Sequence, residues 1–403
     1  MYFDKRKLII IFFFIAFICS FAFLHRNYIS FHHLNFAEWL LNYQGSFVRR
    51  GIVGEINYNL SEYFSLDLYK LTFIVHVVFF FIFYFFSTMF FINYKNLPFL
   101  LILAIFSPVG FLFPLAELEA LGRQEIIYLA FLSFYIFFIS FNKNVFLSQL
   151  LLIIFIPFIL LSHEGMIFYY SYLLAANFFF LKDAKIKNYF LINFFLMIYI
   201  IGVFLLINFN ITVNNDAVHN ICNSLNKYLE YSKCLEINGI YKISETTSVA
   251  VNQFFEFIKI HGLFPILKFS LFAVFGFIPL FLLIDNNKKV NILYFKLKPY
   301  YLIFICLLCS GPIYLTIDWG RWTYINYISS LFLVLYLIKI NIFYIKKEKI
   351  FNFLENLKFY FKFLIFILFC LWWNLKILMT DDIGAHSSYH LIRKTIIYLI
   401  SFF

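Results

Sequence analysis

The chain has 403 residues, of which 63% are hydrophobic and only 13% charged. That balance lies outside the range of soluble domains and leaves an all-α, polytopic membrane protein as the class. The net charge of +11 does not point to nucleic acid. Most lysines fall in short loops between apolar segments, where the positive-inside bias places them.

Taken in chain order, the apolar runs predict about eleven transmembrane helices. They lie near residues 8–24, 69–92, 98–114, 125–141, 145–161, 165–181, 189–208, 263–285, 300–316, 323–341 and 359–376. The first lacks a small-residue cleavage site and reads as a retained helix. A last apolar stretch, Leu391–Phe403, is too short to span and reads as interfacial or partly re-entrant. Without internal repeats or low-complexity linkers, residues 1–403 are expected to form one integral membrane domain. Residues 209–262 would be its extracytoplasmic loop or cap.

Orientation follows from the lysines. Lys5, Arg6 and Lys7 precede the first span. The loops carrying Lys95, Lys143, Lys182, Lys288 and Lys346 alternate onto that same side, which the bias makes the cytoplasm. Nearly every histidine, arginine and acid falls on the other side. There lie Arg26–Asp67, the corner Glu117–Glu125, the corner Ser162–Gly165, the long loop Asn210–His261, the corner Asp318–Trp322, and Asp381–Lys394. Cys222 and Cys234 share the long loop, where a disulfide is expected if that loop faces an oxidising compartment. The other four cysteines lie in apolar segments and read as small buried hydrophobes.

In the first outer loop, Phe36, Trp39, Leu40 and Tyr43 recur at helical spacing, as do Leu60, Tyr63, Phe64 and Leu68. Such amphipathic pieces lie in the interface plane and frame a groove at membrane level. Between them runs Gly45-Ser-Phe-Val-Arg49-Arg50-Gly51-Ile-Val-Gly54-Glu55. An arginine inside the bilayer costs at least about 2.5 kcal/mol, so neither Arg49 nor Arg50 is expected to face lipid. Paired guanidiniums suit a phosphate or diphosphate, and glycines let the backbone approach a bound group. The alternative is an interfacial helix anchored to anionic head groups.

The corners carry the remaining chemistry. Glu119 and Arg123, four apart, would pair on a helical turn. The corner is then either self-neutralising or an anion site in which Glu117, Glu119 or Glu125 orients what Arg123 binds. His163 or Glu164 is suited to take a proton from an acceptor hydroxyl, against the alternative of a capped helix end. Asp318 and Arg321, three apart, neutralise each other, while Trp319 and Trp322 either anchor the interface or stack on sugars. Asp381, Asp382, His386 and His390 form a weaker cluster. No metal-ligand spacing appears, and neither a metal nor a cofactor is expected.

Polar corners converging on one leaflet fit an anionic amphiphile such as a polyprenyl diphosphate carrying sugars. With about eleven spans, a large late outer loop, the outer arginines and the His163-Glu164 and Asp318–Arg321 corners, the chain resembles bacterial O-antigen and capsule polymerases. More loosely it is similar to multi-spanning, GT-C-like glycosyltransferases that use lipid-linked donors. The resemblance implies surface-polysaccharide biosynthesis at the outer leaflet of the inner membrane, with a cytoplasmic N-terminus and polysaccharide-assembly partners. It implies metal-free transfer, and the mechanism expected here is inverting. Arg49, Arg50, Arg123 and Arg321 would bind the diphosphate, with Glu125, Trp319, Trp322 and Trp39 around the glycan. His163, Glu164, Asp318 and Glu119 would be the catalytic set. Metal-dependent relatives use an Asp-x-Asp-like pair in the first outer loop; here Glu38, Glu55, Glu62 and Asp67 form none. The rival reading is a transporter or flippase of the same lipid-linked glycans, which calls for broken helices or ionisable groups near the midplane. Only His76 and Lys268 interrupt the apolar spans in this way.

Overall fold

A computed structural model describes residues 5–29, 37–94, 97–211, 215–235, 240, 247–292, 295–346 and 349–378, with 384–385, 397 and 399–400. The cluster Asp381, Asp382, His386 and His390 lies outside the described residues, as does nearly all of the 391–403 stretch. The described chain is helical apart from two short antiparallel pairs, Val290–Ile292 with Phe295–Leu297 and Trp373–Asn374 with Gly384–Ala385.

Among the described residues, five helices are long and apolar enough to cross a membrane: Lys5–Ile29, Leu68–Ile92, Val145–Ser162, Tyr189–Asn210 and Phe264–Leu283. Their outward faces are apolar: Ile10, Phe14, Phe81, Ile154, Phe195, Leu206 and Leu271 all stand exposed. In water such continuous apolar surface would be an aggregation liability, whereas in a bilayer it is the solvent-facing side. Two of these helices start on side-chain caps: Asp67 accepts the Lys70 amide at 2.8 Å and Asn144 the Leu147 amide at 3.0 Å.

The other six expected crossings take different forms. Residues 98–114 split into Phe99–Ile105 and the single turn Phe113–Ala116, with Pro108 and Gly110 in the break. The unwound residues between them are buried, and non-helical backbone at membrane depth is tolerated only where protein covers it. Ile126–Phe141 is a shorter helix, and Tyr170–Asp183 follows a 3-10 helix over Glu164–Tyr169. Pro299–Cys309 gives way at Gly311-Pro312 to another 3-10 helix, and Phe359–Phe366 runs into a π-helical turn ending at Leu371. The sixth, Trp319–Lys339, is long but is the bundle's inner helix, with every residue from Gly320 to Leu337 buried. It therefore carries interior polar residues a lipid-facing helix would not: Asn326 accepts from Tyr172 Oη at 3.0 Å and Ser310 Oγ at 2.9 Å.

The expected cap forms the helices Asn215–Leu225, Tyr231–Leu235 and Thr247–His261, with Cys222 and Cys234 joined in a disulfide. The first two of these helices share a small core separate from that of the bundle, whereas Phe254 and Phe257 of the third pack into the bundle core. Val218, Ile221 and Leu225 pack on Leu40, Leu41 and Val48 of the first loop. Asn42 Nδ2 donates to Ser224 Oγ at 3.0 Å, and a Cβ on Gly45 would lie 2.3 Å from that of Asn220. The cap thus sits directly on the segment that leads to the two adjacent arginines.

Candidate anion site at one end of the bundle

The loop bearing Arg49 and Arg50 is closed by Glu55, in the first turn of the Ile52–Phe64 helix. Its carboxylate accepts the Tyr43 amide at 2.7 Å and the Gln44 side chain at 3.0 Å. The motif's glycines serve the protein's own packing. A Cβ on Gly51 would meet the Tyr43 ring at 2.3 Å, and one on Gly54 the Leu41 carbonyl at 1.9 Å. The sequence suggests close approach as room for a ligand; in the structure it is room for the chain itself. The left-handed residue is Arg50, at φ 62°. That conformation is uncommon for a side chain of this size and persists where surrounding contacts fix it.

Those contacts are ionic. Arg50 Nε and Nη2 donate to both oxygens of Glu164, each at 3.1 Å, and its Nη1 donates to Glu38 Oε1 at 3.0 Å. Arg123 Nη1 reaches the same Glu38 oxygen at 2.9 Å, and Arg49 Nη1 lies 3.8 Å from Glu164. Behind this rim, Arg321 Nη1 stands 3.0 Å from Glu125 and Nη2 bonds Asp318. Its guanidinium also lies over the Trp322 ring, 4.3 Å from the centroid. Nε2 of His163 is 3.2 Å from Glu125, while Nδ1 accepts the Gly165 amide at 3.2 Å. In the neutral ring the proton therefore belongs on Nε2, facing the carboxylate. Four guanidiniums meet four carboxylates, and the cluster balances its own charge.

Depth differs across the cluster. Glu38 and Glu125 keep only 5% and 4% of their side-chain surface, whereas Arg49, Arg50 and Arg123 keep 20%, 23% and 25%. Burial alone would raise the Glu38, Glu125 and Glu164 pKa values. The adjacent guanidiniums outweigh it in each case: Arg123 and Arg50 for Glu38, Arg321 for Glu125, Arg50 for Glu164. All three carboxyls lie below the usual range. Arg50 and Arg123 are held correspondingly higher, since Glu164 and Glu38 overcome their own burial.

The corners expected to converge are brought together: Arg49, Arg50, Arg123, His163, Glu164, Glu125, Asp318 and Arg321 form one connected cluster. Glu119 stands apart. It is exposed on the Leu118–Gly122 turn, and Arg123 turns instead to Glu38. The expected Glu119–Arg123 pair needs α-helical spacing, but the turn is 3-10 and ends in an extended Arg123. Glu117 also lies elsewhere, accepting from Lys376 at 2.7 Å and Asn374 at 3.0 Å. The tryptophans are occupied within the chain: Trp39 donates to the Gly122 carbonyl, Trp322 to Thr316 and Trp319 to the Tyr314 carbonyl. Trp39 and Trp322 are buried, so Trp319, half-buried, is the one with ring surface to offer.

Glu38 and Gln124 have no counterpart among the residues expected to form the site. Glu38 links Arg50 to Arg123, and Gln124 Nε2 donates to the Glu38 carbonyl at 2.6 Å. The Glu38–Arg123 contact spans 85 positions, which no local spacing reveals. Among the described residues no group of three or more His, Cys, Asp or Glu could hold a metal ion. A cavity of about 10 Å³ beside Glu125 and Arg321 has room for one water and no more. A larger ligand would therefore meet the cluster at the Arg49, Arg50 and Arg123 rim.

Fold and site define a helical protein of transmembrane character with a self-neutralised arginine–carboxylate centre at one end of its bundle. Compared with family models, curated proteins and solved structures, the chain matches none.

Proposed function

We propose that the protein is a membrane glycosyltransferase or glycan polymerase acting on polyprenyl-diphosphate-linked sugars at the non-cytoplasmic leaflet, in surface-polysaccharide (O-antigen or capsule) assembly. The observation that carries this reading is the rim of three part-exposed arginines, two from the first loop and one from the Glu117–Glu125 corner, at one end of a largely apolar bundle. Such a rim suits a diphosphate whose lipid tail lies along the apolar faces. The disulfide-stapled cap packed beside it supports placement on the oxidising side, which is the side opposite the lysine loops.

In this reaction an acceptor hydroxyl attacks the anomeric carbon, the bond to the diphosphate breaks, and Arg49, Arg50 and Arg123 stabilise the departing charge. The hydroxyl's proton passes to a carboxylate reachable from the rim, Glu164 or Asp318. His163 stands behind them and steadies Glu125. Lipid-linked glycan length in cells carrying Arg49→Ala, Arg123→Ala, His163→Ala or Arg321→Ala tests the proposal. Shortened glycans at normal protein levels support it, and unchanged glycans in all four remove it.

One observation favours a flippase of the same lipid-linked glycans. The 98–114 segment is interrupted and its unwound part is buried in the bundle, as in transporters with broken helices. Purified protein that moves a lipid-linked glycan between leaflets without lengthening it would decide for that reading.

A further inference from the structure

We infer that the Arg50 fork is a phosphoryl-binding site held closed by Glu164, which occupies the ligand's place and is displaced by it. This rests on the reading of the rim as an anion site. Arg50 offers Glu164 two parallel N–H donors at 3.1 Å each, the arrangement by which a guanidinium grips carboxylate and phosphate alike. Arg49 already lies 3.8 Å from the same carboxylate, so a group taking its place would meet both arginines.

Three features make Glu164 the partner that leaves. Its side chain keeps 19% of its surface, against 5% for Glu38. Arg50 Nη1 stays anchored on Glu38, which also holds Arg123, so the fork keeps its position when Glu164 swings out. The count of charges points the same way. Four arginines are matched by Glu38, Glu125, Glu164 and Asp318, and an entering dianion would overload the cluster unless one carboxylate withdraws.

The test is titration of the full-length protein in detergent with inorganic diphosphate and, separately, with a short-chain isoprenyl diphosphate. Glu164→Gln should bind diphosphate roughly tenfold tighter than the unmodified protein, because the competing carboxylate is gone. Asp318→Asn removes one charge from the same cluster but leaves the fork filled, and should gain roughly threefold or less. Equal gains in the two variants, or none in a folded Glu164→Gln protein, would overturn the inference. A structure of the unmodified protein with diphosphate is the check that needs no variant. Phosphoryl oxygens on Arg50 with Glu164 turned away support the inference; an intact Arg50–Glu164 pair with diphosphate elsewhere refutes it. A gain with inorganic diphosphate but not with the isoprenyl form keeps the phosphoryl site while removing the lipid-linked substrate, so the two proposals fail separately.

Discussion

Arg50 and Glu164, 114 positions apart, meet through two hydrogen bonds of 3.1 Å that tie the loop after the first helix to the 3-10 turn following Val145–Ser162. Arg50→Ala leaves Glu164 and Glu38 without this guanidinium in a mostly buried setting. Breaking one partner of such a set costs on the order of 3 kcal/mol. Thermal unfolding in detergent should show a lowered midpoint. Arg50→Lys, which has no fork, should recover only part of it.

Acid should loosen the cluster. The Glu38, Glu125 and Glu164 carboxyls are lowered from the ordinary value of 4.5. They bind fewer protons folded than unfolded, so their stabilisation is complete above about pH 4.5 and is lost as pH falls toward the folded values. The unfolding midpoint should be level between about pH 7 and 5.5 and fall steeply below about 4.5. A midpoint unchanged at pH 4 would contradict the ionic account.

Removing the cap's cross-link should act at a distance. Cys222→Ser with Cys234→Ser frees a short loop and should cost about 2–3 kcal/mol on the chain-entropy view. Because the cap packs on Leu40, Leu41 and Gly45, diphosphate binding at Arg49 and Arg50 should weaken as well. Reducing agent on the unmodified protein should reproduce both effects, read by unfolding and by titration.

Two glycines separate packing from flexibility. A Cβ on Gly54 would sit 1.9 Å from the Leu41 carbonyl, whereas one on Gly202 meets nothing within 4 Å. Gly54→Ala should destabilise sharply and disturb the arginine loop. Gly202→Ala, inside the Tyr189–Asn210 helix, should be neutral or stabilising by up to about 1 kcal/mol. Yield and unfolding midpoint of the two proteins compare them directly.

What the sequence reveals here follows from the range of the forces involved. Spans such as Leu68–Ile92 and Tyr189–Asn210 are local in composition and are legible in the chain alone. Local signals do not reveal where tertiary burial replaces lipid. The 98–114 run is as apolar as a span but breaks at Pro108 and Gly110, where protein covers the unwound backbone, and Trp319–Lys339 carries Asn326 because it lies inside the bundle. The convergence of these charged corners is legible because charge is scarce in this chain, and scarce charges must share a wet end. Which charge meets which is not. Arg123 chooses Glu38 over Glu119, and the arginine pair, read as open cations, arrives already neutralised by carboxylates from distant segments.

The central claim is that this cluster holds the diphosphate of a lipid-linked glycan. The direct measurement is glycan transfer by the purified protein in lipid nanodiscs, given a polyprenyl-diphosphate oligosaccharide as donor and acceptor. The account predicts lengthened glycan with release of polyprenyl diphosphate, and loss of both with Arg50→Lys at unchanged fold. Donor left intact by the unmodified protein, or transfer undiminished by Arg50→Lys, would contradict it.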